Sequence, residues 1–173
     1  MQNLLINLKK EIFPISLILF LALARLIPHP PNFTPIIAMA ILSGYYFNNI
    51  YLSFTTLIIS MLIADAFIGF YNNIFFVYGS LLLIITIFYK ISEKINSKNL
   101  FIFGFAGSLI FFIISNLGVW IIGDLYERNL NGLIECYFLA IPFFWNTLIS
   151  TIFYSYAGLF TVMFINRLKL KFN

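Results

Sequence analysis

The chain has 173 residues, of which 62% are apolar and only 9% charged, with ten basic against six acidic side chains and a mean hydropathy of +0.99. A soluble domain carries about 25% charged residues to solvate its surface, so this composition excludes a water-soluble globular protein and places the chain in lipid. The pI of about 9.2 then reports membrane orientation rather than nucleic-acid binding, and the single Cys136 excludes an internal disulfide.

The apolar runs lack strand alternation, and open sheet edges are not tolerated in lipid, so the spans are helices. The start, MQNLLINLKKEIFPISLILFLALARL, has basic residues before an apolar run and reads as a retained first span at about 12–27. Arg25–Pro35, RLIPHPPNFTP, then places an arginine, the only histidine, four prolines and an asparagine between two apolar runs. Its prolines prevent a helix and set a rigid turn, and Asn32 is placed to cap the following helix. A short second span at about 35–47 leads to a third at about 51–70 and a fourth at about 74–89.

The polar stretch KISEKINSKN separates these from a fifth span at about 100–122, and GDLYERNLNG follows. From Leu133 to Ile165 the chain is again apolar, too long for one perpendicular crossing. Pro142 divides it into a short helix or re-entrant segment and a sixth span at about 142–165. The expected architecture is a single all-α transmembrane domain, residues 1–173, with six spans.

Charge orients this bundle. With six spans, Lys9 and Lys10, then Lys90, Lys94 and Lys98, then Arg167, Lys169 and Lys171 share one side, eight of the ten basic residues. The positive-inside rule makes that side, and both termini, cytoplasmic. The opposite side receives the Arg25–Pro35 loop, the FYNN turn and the acidic loop with Asp124, Glu127 and Glu135.

The same side collects the chemistry. Polar groups in lipid face a cavity or one another, so Arg25, His29, Asn32, Asp65, Asn116, Trp120, Tyr137 and Asn146 are read as lining an outward-facing pocket. Arg25 and Asp65 lie at similar depth and suit a buried clamp or a ligand contact equally. Trp120 and Tyr137 also fit an interfacial aromatic belt. His29 and Cys136 are the only soft donors, too few for a structural metal site, although either could be an axial ligand to a metal-bearing solute. No GxSxG, HExxH, Walker sequence or intramembrane aspartate pair occurs, so no enzyme, resident cofactor or ATP hydrolysis is expected of the chain.

The strings RLIPHPPNFTPIIAMA, ADAFIG with VYGS, NLGVW and GLIECYFLAIPFFWNT together resemble a family of small bacterial membrane proteins marked by Arg-x-x-Pro-His-Pro-Pro-Asn-Phe. That family is similar to the substrate-binding S components of energy-coupling-factor vitamin transporters. The resemblance implies a protein of the bacterial inner membrane that captures a small vitamin-like nutrient from outside. It also implies a coupling membrane protein with ATPase subunits as partners, beside the lipid bilayer. S components often carry an Ala-x-x-x-Ala docking face on the first helix. Here Ala22 and Ala24 do not share a face, and Ala40-x-x-x-Gly44 is the nearest spacing, which leaves a solitary transporter open. Two other classes also stay open: a membrane-interface enzyme or enzyme partner using Arg25, His29 and Asp65, and a structural or assembly subunit.

Overall fold

A computed structural model describes residues 2–91 and 96–171, and the expectation for Lys94 lies outside them. Among the described residues the chain forms helices and no strand: α1 (Gln2–Ala24), α2 (Ile36–Tyr46), α3 (Ile50–Ile68), α4 (Ile74–Lys90), α5 (Leu100–Ile122) and α6 (Leu130–Lys171). Apart from α2, the helices present a buried stripe inward. On α1 the buried residues are Pro14, Leu17, Ile18, Leu21 and Ala22, and on α3 they include Ser53, Thr56, Leu57, Ser60, Met61 and Ala64. These are the i, i+3, i+4, i+7 positions that share a helix face. The outward faces stay apolar, with Phe20, Phe67, Phe75 and Phe138 all largely exposed. α3, α5 and the Leu130–Ile165 part of α6 are long and apolar enough to cross a membrane. Exposed apolar surface on this scale is the mark of a protein that sits in lipid.

The central element is α2. It packs against all five other helices, and every residue from Ile36 to Gly44 is buried. At 11 residues it rises only about 17 Å, against a hydrocarbon core of about 30 Å. The second expected span is therefore a half-length helix enclosed by protein. Its contact with α4 is close enough to require glycine: a Cβ on Gly44 would lie 2.9 Å from the Ile85 carbonyl oxygen and the Tyr89 amide nitrogen.

The largest departure from expectation is at the end of the chain. α6 runs unbroken for 42 residues with Pro142 inside it, so no separate short helix or re-entrant segment precedes the last span. Proline removes one intrahelical hydrogen bond, but α5 fastens α6 on both sides of it. The Tyr137 hydroxyl donates to the Ile113 carbonyl at 2.6 Å, and Phe144 packs edge-on against Phe112 with ring centroids 5.2 Å apart. Farther along, the Tyr156 hydroxyl donates to the Ser97 carbonyl at 2.8 Å. α5 and α6 thus form a long antiparallel hairpin, and its packing holds the helix that Pro142 alone would break.

The hairpin turn is tightly built. Arg128 donates to the Ile121 and Gly123 carbonyls at the α5 terminus, where cations suit the helix end. Trp120 Nε1 donates to the Glu127 carbonyl at 3.0 Å. Asn129 caps α6 by accepting from the Gly132 amide at 2.9 Å.

Candidate functional site

The short α2 leaves space at one end of the bundle. There α4, α5 and α6 continue beyond the point where α2 begins, and the Arg25–Pro35 loop closes over the gap. The result is a cavity of about 320 Å3, lined by residues from α2, α4, α5 and α6 and from two connections. Its polar lining comprises Arg25, Asn32, Thr34, Tyr71, Asn73, Ser115, Asn116 and Thr147, and its walls include Phe111, Phe112, Phe143 and Phe144.

Helix geometry places the charged pair. Arg25 continues the α1 stripe of Pro14, Ile18, Leu21 and Ala22, and Asp65 continues the α3 stripe of Leu57, Met61 and Ala64. Both side chains are therefore carried inward, with side-chain exposures of 8% and 0%. Arg25 Nη2 and Asp65 Oδ1 are 2.7 Å apart. The Tyr78 hydroxyl donates to Asp65 Oδ2, also at 2.7 Å. Arg25 Nη1 lies 3.3 Å from Met61 Sδ. Each carboxylate oxygen thus has a donor, as a buried charge requires. Arg25 is not equally satisfied, because its buried Nε has no hydrogen-bond partner among the described residues.

The loop gains its shape from a tight turn. The Phe33 amide donates to the Pro30 carbonyl at 3.0 Å, and Asn32 has φ of 61°. Proline followed by a left-handed asparagine is the sequence of a type II turn. This corrects the expectation that Asn32 caps α2. The N-cap is Pro35, and no side chain caps the helix. Asparagine is instead used for the positive φ that a β-branched residue would resist. Asn146 Nδ2 donates to the Pro31 carbonyl at 3.0 Å and ties this turn to α6.

Of the sequence-selected residues, Arg25, Asn32 and Asn116 line the cavity, and Asp65 stands behind Arg25. Asn116 also donates to the Phe112 carbonyl one turn back at 2.8 Å. His29 is exposed, with Nδ1 2.9 Å from the Pro30 carbonyl, and is not part of the lining. Trp120 and Tyr137 are spent on the α5–α6 hairpin contacts described above. Cys136 is buried with its sulfur 3.5 Å from the Asn116 carbonyl, also outside the lining. Neither His29 nor Cys136 is placed to ligate a metal carried by a solute in the cavity. Among the described residues no three His, Cys, Asp or Glu side chains cluster as a metal site.

Sequence reasoning passed over Tyr71, Asn73, Ser115 and Thr147. Tyr71 and Asn73 belong to the FYNN turn, where they read as turn formers. Asn73 Nδ2 donates to the Ser115 carbonyl at 3.4 Å, joining the α3–α4 turn to α5. Burial, with the Asp65 carboxylate nearby, pushes the Tyr71 phenol up to about 12, so it remains a donor at physiological pH. The available signal was positional: Ser115 follows Phe111 and Ser108 on the buried stripe of α5, at the level where that stripe opens.

Over residues 6–171 the chain matches a family described as a family of unknown function (DUF6580), and it belongs to that family. No curated protein and no solved structure matches the chain.

Proposed function

We propose that this family member is a membrane protein that captures a small organic nutrient, of the vitamin class, in the cavity beneath the Arg25–Pro35 loop. The cavity carries the reading. Its volume of about 320 Å3 falls at the lower end of the roughly 300–1,000 Å3 typical of small-molecule sites. A few fixed polar groups among aromatic walls are the usual means of orienting such a ligand. That volume suits a small ring system.

The orientation proposed from charge gains support from the helix order. The ends of α1, α3 and α5 and the starts of α2, α4 and α6 fall at the end of the bundle that holds the cavity. Lys90 and Lys98 lie at the opposite end of the bundle, as do the α1 segment with Lys9 and Lys10 and the α6 terminus with Lys169 and Lys171. The chain then makes six passes in a bacterial inner membrane, with α2 as a sheltered half-length pass, both termini cytoplasmic and the cavity outside. Delivery of the captured solute by a coupling membrane protein with ATPase subunits extends the same proposal. The interface-enzyme alternative loses support because exposed His29 is outside the cavity that Arg25 lines.

Native mass spectrometry of the protein purified from its own membrane, followed by calorimetry against a vitamin panel, tests the capture. A bound solute that returns after its removal supports it. No co-purified solute and no binding across the panel would overturn it.

A further inference from the structure

We infer that the captured solute is an uncharged ring bearing an amide or amino N–H group, which donates to the side-chain oxygens of Asn73 and Asn116. This rests on the capture reading and specifies its substrate class.

The first observation is which end of each carboxamide is left over. Asn116 Nδ2 donates to the Phe112 carbonyl at 2.8 Å, and Asn73 Nδ2 donates to the Ser115 carbonyl at 3.4 Å. A carbonyl takes a bond only from the nitrogen end of a carboxamide, so Oδ1 is the unused end in both. The polar atoms of the described residues that are both occluded and unpartnered, Arg25 Nε among them, include neither oxygen. Both oxygens therefore stay accessible, on residues that line the cavity. The two side chains are neighbours, because the Ser115 carbonyl that Asn73 reaches immediately precedes Asn116. Two adjacent acceptors suit an N–H donor. The Thr34 and Ser115 hydroxyls are accessible and unbonded on the same grounds, and can donate to a carbonyl beside that N–H.

The second observation concerns charge. Among the described residues the lining contains one cation and no carboxylate, and Asp65 neutralises that cation at 2.7 Å. The pair offers no net charge to balance an ion taken out of water, and burying an unpaired ion is costly. An anion would also face two amide oxygens, and an ammonium would find Asp65 covered by Arg25 and Tyr78. A neutral solute needs only hydrogen bonds and the ring faces of Phe111, Phe112, Phe143 and Phe144.

The test uses the full-length protein in detergent, stripped of co-purified solute, and four ring probes of similar size: benzamide, methyl benzoate, benzoate and benzylamine. Calorimetry should show benzamide binding about ten-fold or more tightly than each of the others. Methyl benzoate keeps the ring and carbonyl but lacks the N–H. Asn116→Leu should reduce the preference for benzamide over methyl benzoate to about three-fold or less. Its fold is protected, because the Phe112 carbonyl keeps its bond within the helix. Asn73→Ala should reduce the same preference from the α4 side. Asn116→Asp supplies the missing charge and should bring benzylamine ahead of benzamide.

Methyl benzoate binding as tightly as benzamide, benzoate or benzylamine binding tightest to the parent, or an unchanged preference in Asn116→Leu and Asn73→Ala overturns the inference and leaves solute capture intact. Where no probe binds, the native solute decides: a neutral N–H-bearing ring in the mass spectrum upholds the inference, and an ion or a solute without N–H overturns it. Absence of any probe binding and of any native solute overturns both readings.

Discussion

Removing one member of the Arg25–Asp65 pair should be far more damaging than removing both. Asp65→Asn keeps the shape of the side chain but leaves the Arg25 guanidinium, with 8% side-chain exposure, facing a neutral amide. Breaking a buried pair from one side costs about 3–5 kcal/mol, and an arginine at depth in a membrane helix costs about 2.5–3.5 kcal/mol on insertion scales. Arg25→Met leaves the fully buried Asp65 carboxylate with only the Tyr78 hydroxyl, at a similar cost. If the two sites were independent, the double variant would lose about 6–10 kcal/mol, the sum of two such costs. Because the double variant contains no stranded charge, it should instead fall within about 2 kcal/mol of the parent.

The resulting coupling energy, about 4 kcal/mol or more, is well above the 0.2–1 kcal/mol typical of an exposed pair. Reversible unfolding in mixed micelles measures all four corners of the cycle. A coupling below about 0.5 kcal/mol, the limit of simple additivity, would refute a buried clamp at this end of the bundle.

The glycine contacts predict opposite signs for one substitution at two positions. Gly44→Ala should destabilise by about 1–3 kcal/mol, because its Cβ meets α4 backbone at 2.9 Å, whereas Gly79→Ala meets nothing within 4 Å and should gain about 0.5–1 kcal/mol. Both are read from the same micelle unfolding curves. Asn146→Ala removes the bond to the Pro31 carbonyl and should speed hydrogen exchange in residues 25–35 without changing exchange in α3. In alkaline titration, folding favours the protonated Tyr71 phenol, whose pKa is about 12. Stability from this phenol is present below its unfolded value near 10 and is lost as pH rises through about 12. Tyr71→Phe should therefore leave the phenolate absorbance at pH 11 almost unchanged. Finally, in a Cys136→Ser background, Lys98→Cys and Asp124→Cys should react with an impermeant thiol reagent from opposite faces of the membrane. Labelling from one face would end the proposed orientation.

Hydropathy located the interior helices closely because their apolar runs end where the helices end. α4 spans Ile74–Lys90 and α5 spans Leu100–Ile122, against expected spans of 74–89 and 100–122. It failed at the chain ends for different reasons. α1 begins at Gln2 because backbone hydrogen bonding continues through the polar Lys9–Glu11 segment, which carries no apolar signal. α6 passes through Pro142 because tertiary contacts with α5 outweigh one lost backbone bond, and those contacts are not local in sequence. At the site, Arg25, Asp65, Asn32 and Asn116 stood out as polar groups in apolar surroundings. Ser115 and Thr147 did not, since small hydroxyl residues are ordinary in helices that pack closely. His29, Trp120, Tyr137 and Asn146 stood out for their chemistry, yet their observed bonds hold the loop and hairpin together.

The half-length α2 connects these observations. A full-length second helix would fill the bundle axis and leave no cavity, and Arg25 and Asp65 would then be isolated charges between packed helices. Shortening it at the N-terminal end opens the space, exposes an uncapped helix start to that space and requires a connection that dips inward from the end of α1. The prolines of RLIPHPPNFTP meet that requirement by preventing α1 from continuing, and the left-handed Asn32 turns the chain toward Pro35. Arg25 is the last residue of the α1 inward stripe before this connection, and Asp65 is the corresponding inward position near the end of α3. The ion pair is thus placed at the boundary between packed core and cavity: one edge of the guanidinium fixes the end of α1 to α3, and the Arg25 side chain also forms part of the cavity lining. If the pair served only to hold helices, filling the cavity from the α5 side with Ser115→Leu would leave stability intact and solute binding unmeasurable in both proteins. Loss of binding with retained folding in that variant would instead separate the cavity's function from the clamp beside it.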